Sequence, residues 1–169
     1  MINKIFGALA AATLSVMPAV ATVDENTTEL LNYVESQGIP VFINDHAACD
    51  SNDYLGVYIH RGMQRQLVLC PGGHVDALDH AVVRHGVWHA IQHCVNTARG
   101  TNTNTPVNVN TTELMSYVYD TLTAEQIQAV KDLYPQDKWL LELEANTAML
   151  MLTAAEVQDL FKEACVADW

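Results

Sequence analysis

Three histidines spaced four residues apart are the residues of this sequence whose type and spacing could do chemistry. His85, His89 and His93 lie in a segment with helical periodicity. Side chains four residues apart share one face of a helix, and two imidazoles on that face can bind one metal ion, zinc in particular. All three cannot reach one ion, because residues eight apart are separated by about 12 Å along a helix. The segment therefore predicts a zinc site built on either His85–His89 or His89–His93, with a third ligand from elsewhere.

Candidates for the third ligand lie on a later predicted helix, in Trp139–Ala145 (WLLELEA). Together the two segments resemble the gluzincin class of zinc metallopeptidases. These proteins carry HExxH on one helix and a glutamate ligand in a W-L-x-E-x-x-A or E-x-x-A-D context on another. The resemblance implies that Glu142 is the third zinc ligand and that Glu144 is the fallback. It also places Asn146 where the family often has an aspartate that orients a ligand histidine.

The histidine segment is also similar to small secreted proteins in which R-H-E-x-x-H-x-x-Q-D-C follows a disulfide hairpin. The matching positions are Arg84, His85, His89, Gln92 and Cys94. Two positions depart from the pattern, Gly86 and His93. This register implies His85 and His89 as the metal pair, with His93 in the place of a family aspartate.

Gly86 stands where the HExxH motif has its glutamate. In peptidases of this type, that glutamate takes a proton from zinc-bound water and passes it to the leaving amine. Such general acid–base help is typically worth about 10²- to 10⁴-fold in rate. No catalytic residue is assigned, and we expect an impaired or inactive peptidase unless another group substitutes. The groups considered are Glu113, Asp120, Glu144 and an unmatched histidine.

A second hypothesis is a non-enzymatic secreted binding or interaction protein that uses the same disulfide-stabilised scaffold. It predicts no bound metal, with the side chains of His85 and His89 pointing apart or into apolar packing. The Asn- and Thr-rich segment 101–112 and the acidic surface would then make the contacts. That segment is equally consistent with a lid or binding loop and with a plain connector.

The elements that must position these residues follow from hydrophobic periodicity and from helix-start and helix-stop signals. Helices are predicted over 29–36, 76–98, 123–133, 137–152 and 153–166, and strands over 41–43, 54–60 and 66–70. Residues 114–119 fit either a helix or an extended segment. The order predicts an α+β fold, with a small antiparallel sheet of two or three strands packed on a helical bundle around the histidine-bearing helix. The family resemblance implies that this arrangement is zincin-like.

The N-terminal residues 1–21 are typical of a secretory signal peptide. Lys4 precedes a short apolar core, and Ala19–Ala21 has the A-x-A form of a cleavage site. The remaining residues, 22–169, make one metallopeptidase-like domain. No later stretch has about 18 apolar residues without a charge, so no membrane span is expected. The sequence therefore predicts a protein that is secreted to the periplasm or the extracellular space.

The four cysteines are an even number in an exported chain, which predicts two disulfides with three pairings open. We favour Cys49–Cys70, which would close the hairpin region. Its complement, Cys94–Cys165, would tie the histidine-bearing helix to the last helix.

The net charge of −12 bears on the partners of the protein. Nucleic acids and anionic membranes are disfavoured, because phosphate binding relies on Lys and Arg. The peptidase resemblance implies a peptide or protein substrate, and the sequence carries no signal for an oligomeric state.

Overall fold

The structure is a computed structural model that describes residues 27–51, 56–61, 64–70, 80–101 and 105–165. The predicted signal peptide lies outside the described residues. So do the start of the helix predicted from residue 76 and part of the Asn- and Thr-rich segment.

Six α-helices and a three-stranded sheet make up the described part of the chain, which confirms the α+β class. In chain order the elements are α1 Thr27–Ser36, β1 Val41–Ile43, a 3₁₀ helix Ala47–Ser51, β2 Gly56–Arg61, β3 Gln64–Leu69, α2 His80–Ala98, α3 Thr111–Thr121, α4 Ala124–Leu133, a 3₁₀ helix Gln136–Lys138, α5 Trp139–Met151 and α6 Ala154–Cys165. Among these helices, none is long and apolar enough to cross a membrane.

The sheet is mixed, and the prediction of a purely antiparallel sheet is wrong for β1. The strand order is β1-β3-β2. β2 and β3 form the expected antiparallel hairpin, with Tyr58 opposite Leu67. β1 pairs with β3 in parallel, with Val41 opposite Leu67. Parallel neighbours need a crossover between them, and here the chain from the end of β1 through β2 supplies it.

Helix α2 packs closely against this sheet because two glycines lie at the contact. A Cβ atom at Gly86 would lie 2.6 Å from Leu67 Cδ1, and a Cβ atom at Gly56 would lie 2.8 Å from Val82 Cγ1. Both separations are shorter than real carbon contacts allow, so a larger residue at either position would force its neighbour to move. The backbone of α2 therefore approaches β2 and β3 more closely than side chains at these positions would permit.

Two hydrophobic clusters meet at α5. The larger one surrounds α2 and includes Trp88, Ile91 and Ala145. The smaller one joins α3, α4 and α5 and includes Val118 and Leu143. Because α5 contributes to both, its residues are buried over most of the helix circumference, and its carboxylates lie inside the molecule.

Side-chain capping fixes the starts of α3, α4 and α6, whereas α5 starts without a side-chain cap. Thr123 forms the predicted capping box with Gln126, donating its backbone N–H to Gln126 Oε1 at 2.8 Å. Thr153 and Glu156 form the second predicted box, with the corresponding bond at 2.8 Å. The segment 114–119, left open between helix and extended chain, lies within α3 and starts from the side-chain cap of Asn110.

The two favoured cysteine pairs are the two that lie at disulfide distance. The Sγ atoms of Cys49 and Cys70 are 2.06 Å apart, and those of Cys94 and Cys165 are 2.18 Å apart. The first pair joins the 3₁₀ helix after β1 to the end of β3. The second joins α2 to the last turn of α6, so the histidine-bearing helix is linked covalently to the C-terminal helix.

Candidate metal centre

Helices α2 and α5 bring together the three ligands predicted from the sequence. His85 Nε2 and His89 Nε2 are 3.0 Å apart. Each of them lies 3.5 Å from Glu142 Oε2. In the described part of the chain, these residues are the one group of three or more His, Cys, Asp or Glu side chains whose ligand atoms cluster closely enough to hold a metal ion.

The triangle formed by these three atoms has the size that zinc requires. Sides of 3.0, 3.5 and 3.5 Å leave a point about 2.0–2.1 Å from every corner, roughly 0.7 Å out of their plane. A tetrahedral zinc ion lies about that far from the plane of any three of its ligands, at about that bond length. The geometry thus accommodates one ion and leaves a fourth coordination position open.

The charges of the cluster also suit a cation. Burial raises the pKa of Glu142, but the imidazoles of His85 and His89, each 3.5 Å from Oε2, outweigh burial and lower this pKa to about 2. Burial lowers the pKa of His85, which favours the neutral imidazole that a metal requires as a ligand. The cluster therefore holds an ionised carboxylate that is only 7% exposed.

Glu142 Oε2 is buried and receives no well-aligned hydrogen bond. Its two imidazole neighbours lie at the outer limit of hydrogen-bond distance. A buried ionised oxygen without a donor is costly, and a bound cation would remove that cost. This oxygen is the observation that makes the residues fit a metal ion rather than a closed hydrogen-bond network.

Gln92 determines which nitrogen of His89 carries the proton. Its Nε2 donates to the Leu141 carbonyl at 3.0 Å and to Glu144 Oε2 at 2.9 Å. Because both partners are acceptors, Gln92 Oε1 must face the other way, where it accepts from His89 Nδ1–H at 2.7 Å. Neutral His89 therefore presents the lone pair of Nε2 to the cluster, which is the tautomer that binds metal.

The same reasoning assigns the proton of His85. With a lone pair on His89 Nε2, the 3.0 Å contact between the two Nε2 atoms requires His85 to donate. If both imidazoles are neutral, this contact places the proton of His85 on Nε2. Metal binding would shift this proton to Nδ1, whereas His89 would need no change.

Glu144, the fallback ligand, does not reach the cluster. It accepts hydrogen bonds from the backbone N–H groups of Val107 and Asn108, both at 2.8 Å, and from the side chains of Gln92 and Trp88. Burial raises the pKa of Glu144, and these four donors act against that rise. This carboxylate attaches the segment that precedes α3 to the junction of α2 and α5.

Other residues named from the sequence also lie elsewhere. Asn146 donates to the backbone carbonyl of Glu142 at 2.8 Å, so its bond is to its own helix. The ring of His93 lies 4.4 Å from that of His60, and burial lowers its pKa, with the nearby charges of His60 and Arg65 acting in the same direction. His93 is thus part of a separate contact between α2 and β2.

A pocket of about 250 Å³ opens beside the candidate ligands. His85, His89 and Glu142 form one wall, and β2 contributes Gly56 and Tyr58. Lys138, from the 3₁₀ helix before α5, also lines it. Within the described part of the chain, the one carboxylate that lines the pocket is that of Glu142. The proposed substitutes for the missing base, Glu113, Asp120 and Glu144, are therefore not in the pocket.

The contributions of Gln92, Tyr58 and Lys138 were not predicted from the sequence. Gln92 follows His89 by three residues on one helix face, and that spacing could have indicated a contact. Nothing in the sequence linked the other two residues to the histidines. No protein-family model, curated protein or solved structure matches this chain.

Proposed function

We propose that this protein is a secreted, zinc-binding protein of the gluzincin-like metallopeptidase type whose peptidase activity is impaired or absent. The observation that carries the proposal is the convergence of His85 Nε2, His89 Nε2 and the unbonded Glu142 Oε2 on one point. Packing of a small sheet on the histidine-bearing helix supports the interpretation of the α+β fold as zincin-like.

Two imidazoles, one carboxylate and an open position form the ligand set of a catalytic zinc site. His85, His89 and Glu142 would hold the ion. Bound zinc supplies Lewis-acid polarisation and lowers the pKa of a coordinated water. Gln92 orients His89, and the carboxylate of Glu142 neutralises part of the charge.

The absence of a general base supports impaired activity. Gly86 replaces the motif glutamate, and among the described residues that line the pocket the one carboxylate is that of Glu142, which would serve as a ligand. A Cβ atom at position 86 would point into the contact with Leu67. The glycine therefore serves the packing of α2 on β3.

Secretion is supported by the signal-peptide pattern of residues 1–21 and by two cysteine pairs at disulfide distance. Disulfides persist in oxidising compartments outside the cytoplasm. The N-terminal sequence of the exported protein would test the predicted cleavage after Ala21.

Zinc titration of the purified mature protein tests the metal site. We expect one zinc per chain in the wild type, and a loss of more than about 100-fold in affinity in His89→Ala, because removing a ligand should cost more than removing a group that orients one. His93→Ala is the matched control, since it removes a histidine from the same helix outside the cluster. Equal zinc contents in His89→Ala and the wild type would refute the site.

Restoring the carboxylate tests the activity. Gly86→Glu should be made together with Leu67→Val, which removes the methyl group that a side chain at position 86 would meet. If the fold is of the peptidase type, we expect the zinc-loaded double variant to cleave unstructured peptides faster than Leu67→Val alone. If zinc binds and neither protein cleaves peptides, the peptidase origin is not supported.

The alternative is a non-enzymatic interaction protein on the same scaffold. It predicted that the side chains of His85 and His89 point apart or into apolar packing. Their Nε2 atoms instead lie 3.0 Å apart beside a carboxylate, which favours the metal-binding function.

A further inference from the structure

The pocket beside the candidate metal centre is lined by a positively charged residue, Lys138, that is not one of the candidate metal ligands. Lys138 is one of eight Lys and Arg residues in a chain with 20 Asp and Glu. It lines the pocket, and no ion pair within the described residues involves its ammonium group. In so acidic a protein, a lysine at a pocket without an acidic partner requires an explanation.

Tyr58 provides a second polar group beside the same pocket. It lies on edge strand β2, and its hydroxyl is buried without a hydrogen-bond partner. Burial raises the pKa of this phenol to about 12, although the nearby charge of Arg65 opposes the rise. The hydroxyl therefore keeps its proton at neutral pH, and this unpaired donor could bond a ligand group that displaces the side chains covering it.

The charge of the pocket becomes positive once a divalent ion is bound. Glu142 would cancel one of the two charges of the ion, imidazole ligands bind a metal as neutral groups, and Lys138 adds one positive charge. Among the described residues that line the pocket, Lys138 and Glu142 are the charged ones apart from the histidines, whereas the whole chain carries a net charge of −12. A positively charged pocket in a protein of negative net charge favours anions, because charges in a partly enclosed site are screened less than charges on the surface.

The size of the pocket limits what can bind there. A volume of about 250 Å³ is below the usual 300–1,000 Å³ of sites for drug-sized molecules. Only a small ligand, or the end of a longer one, can therefore enter. A carboxylate suits the available groups, because it accepts hydrogen bonds from both an ammonium and a hydroxyl.

We propose that the pocket binds the carboxylate of a small ligand or of a peptide C-terminus, with Lys138 as the charge partner and Tyr58 as a hydrogen-bond donor. This inference rests on the proposed zinc site and names the class of ligand that this site takes. It makes no claim that the bound ligand is cleaved.

Calorimetry on zinc-loaded full-length mature protein tests the inference, after zinc affinity has been measured separately for each variant. The probes are N-acetyl-alanyl-alanine, the same peptide as its C-terminal amide, and acetate. We expect the free acid to bind at least about tenfold more tightly than the amide, and Lys138→Met to abolish most of that difference. Tyr58→Phe should weaken binding of the free acid by a smaller factor.

Lys162→Met is the matched control. Lys162 lies on α6, pairs with Asp159 at 2.9 Å and does not line the pocket, but its loss changes the net charge equally. We expect this variant to retain the preference for the free acid. Competition by acetate would identify a small carboxylate as a sufficient ligand, and failure of acetate to compete would identify the peptide C-terminus.

Three results would overturn the inference while the zinc site stands. These are equal binding of acid and amide, no binding of either peptide to the zinc-loaded protein, and an undiminished preference in Lys138→Met. Failure of zinc to bind in the first titration would instead overturn the proposed function and this inference with it.

Discussion

His89 illustrates how a neighbour outside the candidate ligand set can orient a residue for the proposed metal binding. Gln92 accepts from its Nδ1–H, and Gln92 is itself oriented by the Leu141 carbonyl and by Glu144. Groups that fix the tautomer of a ligand histidine typically change metal affinity by about 10- to 100-fold when they are lost. Gln92 is thus expected to influence zinc affinity from a position behind the ligands.

Replacing Gln92 by leucine tests this role at the residue scale. We expect Gln92→Leu to lower zinc affinity by about 10- to 100-fold, because His89 loses the acceptor that holds its Nδ1 proton. Competition with a chromophoric chelator measures the change. Thr147→Val is the control, since it removes another buried hydrogen bond, from Thr147 Oγ1 to the Leu143 carbonyl, without touching His89. A folded Gln92→Leu protein with the zinc affinity of the wild type would contradict the prediction.

The contact between helix α2 and strand β3 depends on Gly86 having no side chain. Alanine stabilises an exposed helix by about 1 kcal/mol relative to glycine. At position 86 this gain is opposed by overlap with Leu67 Cδ1, which would lie 2.6 Å from the new Cβ atom. Overpacking of a core typically costs about 1–3 kcal/mol, so the steric effect is expected to dominate.

A double-mutant cycle tests this contact at the scale of the two elements. We expect Gly86→Ala to lower the free energy of unfolding by up to about 2 kcal/mol. Leu67→Val should lower it by about 1 kcal/mol. The double variant should lose less than the sum, with a coupling of at least about 0.5 kcal/mol, because valine removes the overlapping methyl group. Urea unfolding of the metal-free proteins measures all three values, and additive effects would show that the two residues do not collide.

The whole molecule is held together by two cross-links of different span. Cys49–Cys70 closes a short segment, with a sequence separation of 21, whereas Cys94–Cys165 spans 71 residues and encloses α3, α4 and α5. In the chain-entropy account, a cross-link restricts the unfolded chain more strongly when its loop is longer. The longer link is therefore expected to contribute more to global stability.

Pairwise removal of the cysteines tests this at the scale of the whole molecule. Cys94→Ala with Cys165→Ala should lower the free energy of unfolding by about 4 kcal/mol, and Cys49→Ala with Cys70→Ala by about 3 kcal/mol. Chemical unfolding of the two double variants gives the comparison. A larger loss from the shorter link would mean that local packing around β3 outweighs chain entropy.

Local patterns in the sequence were sufficient for the helices and for the helix face on which the histidines lie, while the family resemblance selected His85 and His89. Thr123 with Gln126 and Thr153 with Glu156 predicted two helix starts, because a capping box is formed within four residues. The spacing of His85 and His89 predicted a shared helix face for the same reason. Where both ends of a predicted element are described, its boundaries differ from the observed ones by two residues at most.

The long-range arrangement of strands and helices could not be predicted from local sequence patterns. Adjacent short strands look alike whether their neighbours are parallel or antiparallel, so the parallel pairing of β1 with β3 appears only in the folded chain. Gly86 was interpreted from the sequence as a lost catalytic residue. Its contact with Leu67, 19 residues earlier in the sequence, adds a packing role that the pattern did not contain.

The sequence by itself determined the helix face that carries the candidate histidine pairs, the number of disulfides, most helix boundaries and the α+β class, since each depends on spacing within one element or on a count. Only the tertiary structure decided between Glu142 and Glu144. Two residues apart on a helix, these side chains are related by a rotation of about 200° about the helix axis, so they point to nearly opposite sides. The packing of α5 between two hydrophobic clusters turns Glu142 towards the histidines and Glu144 towards the backbone N–H groups of Val107 and Asn108.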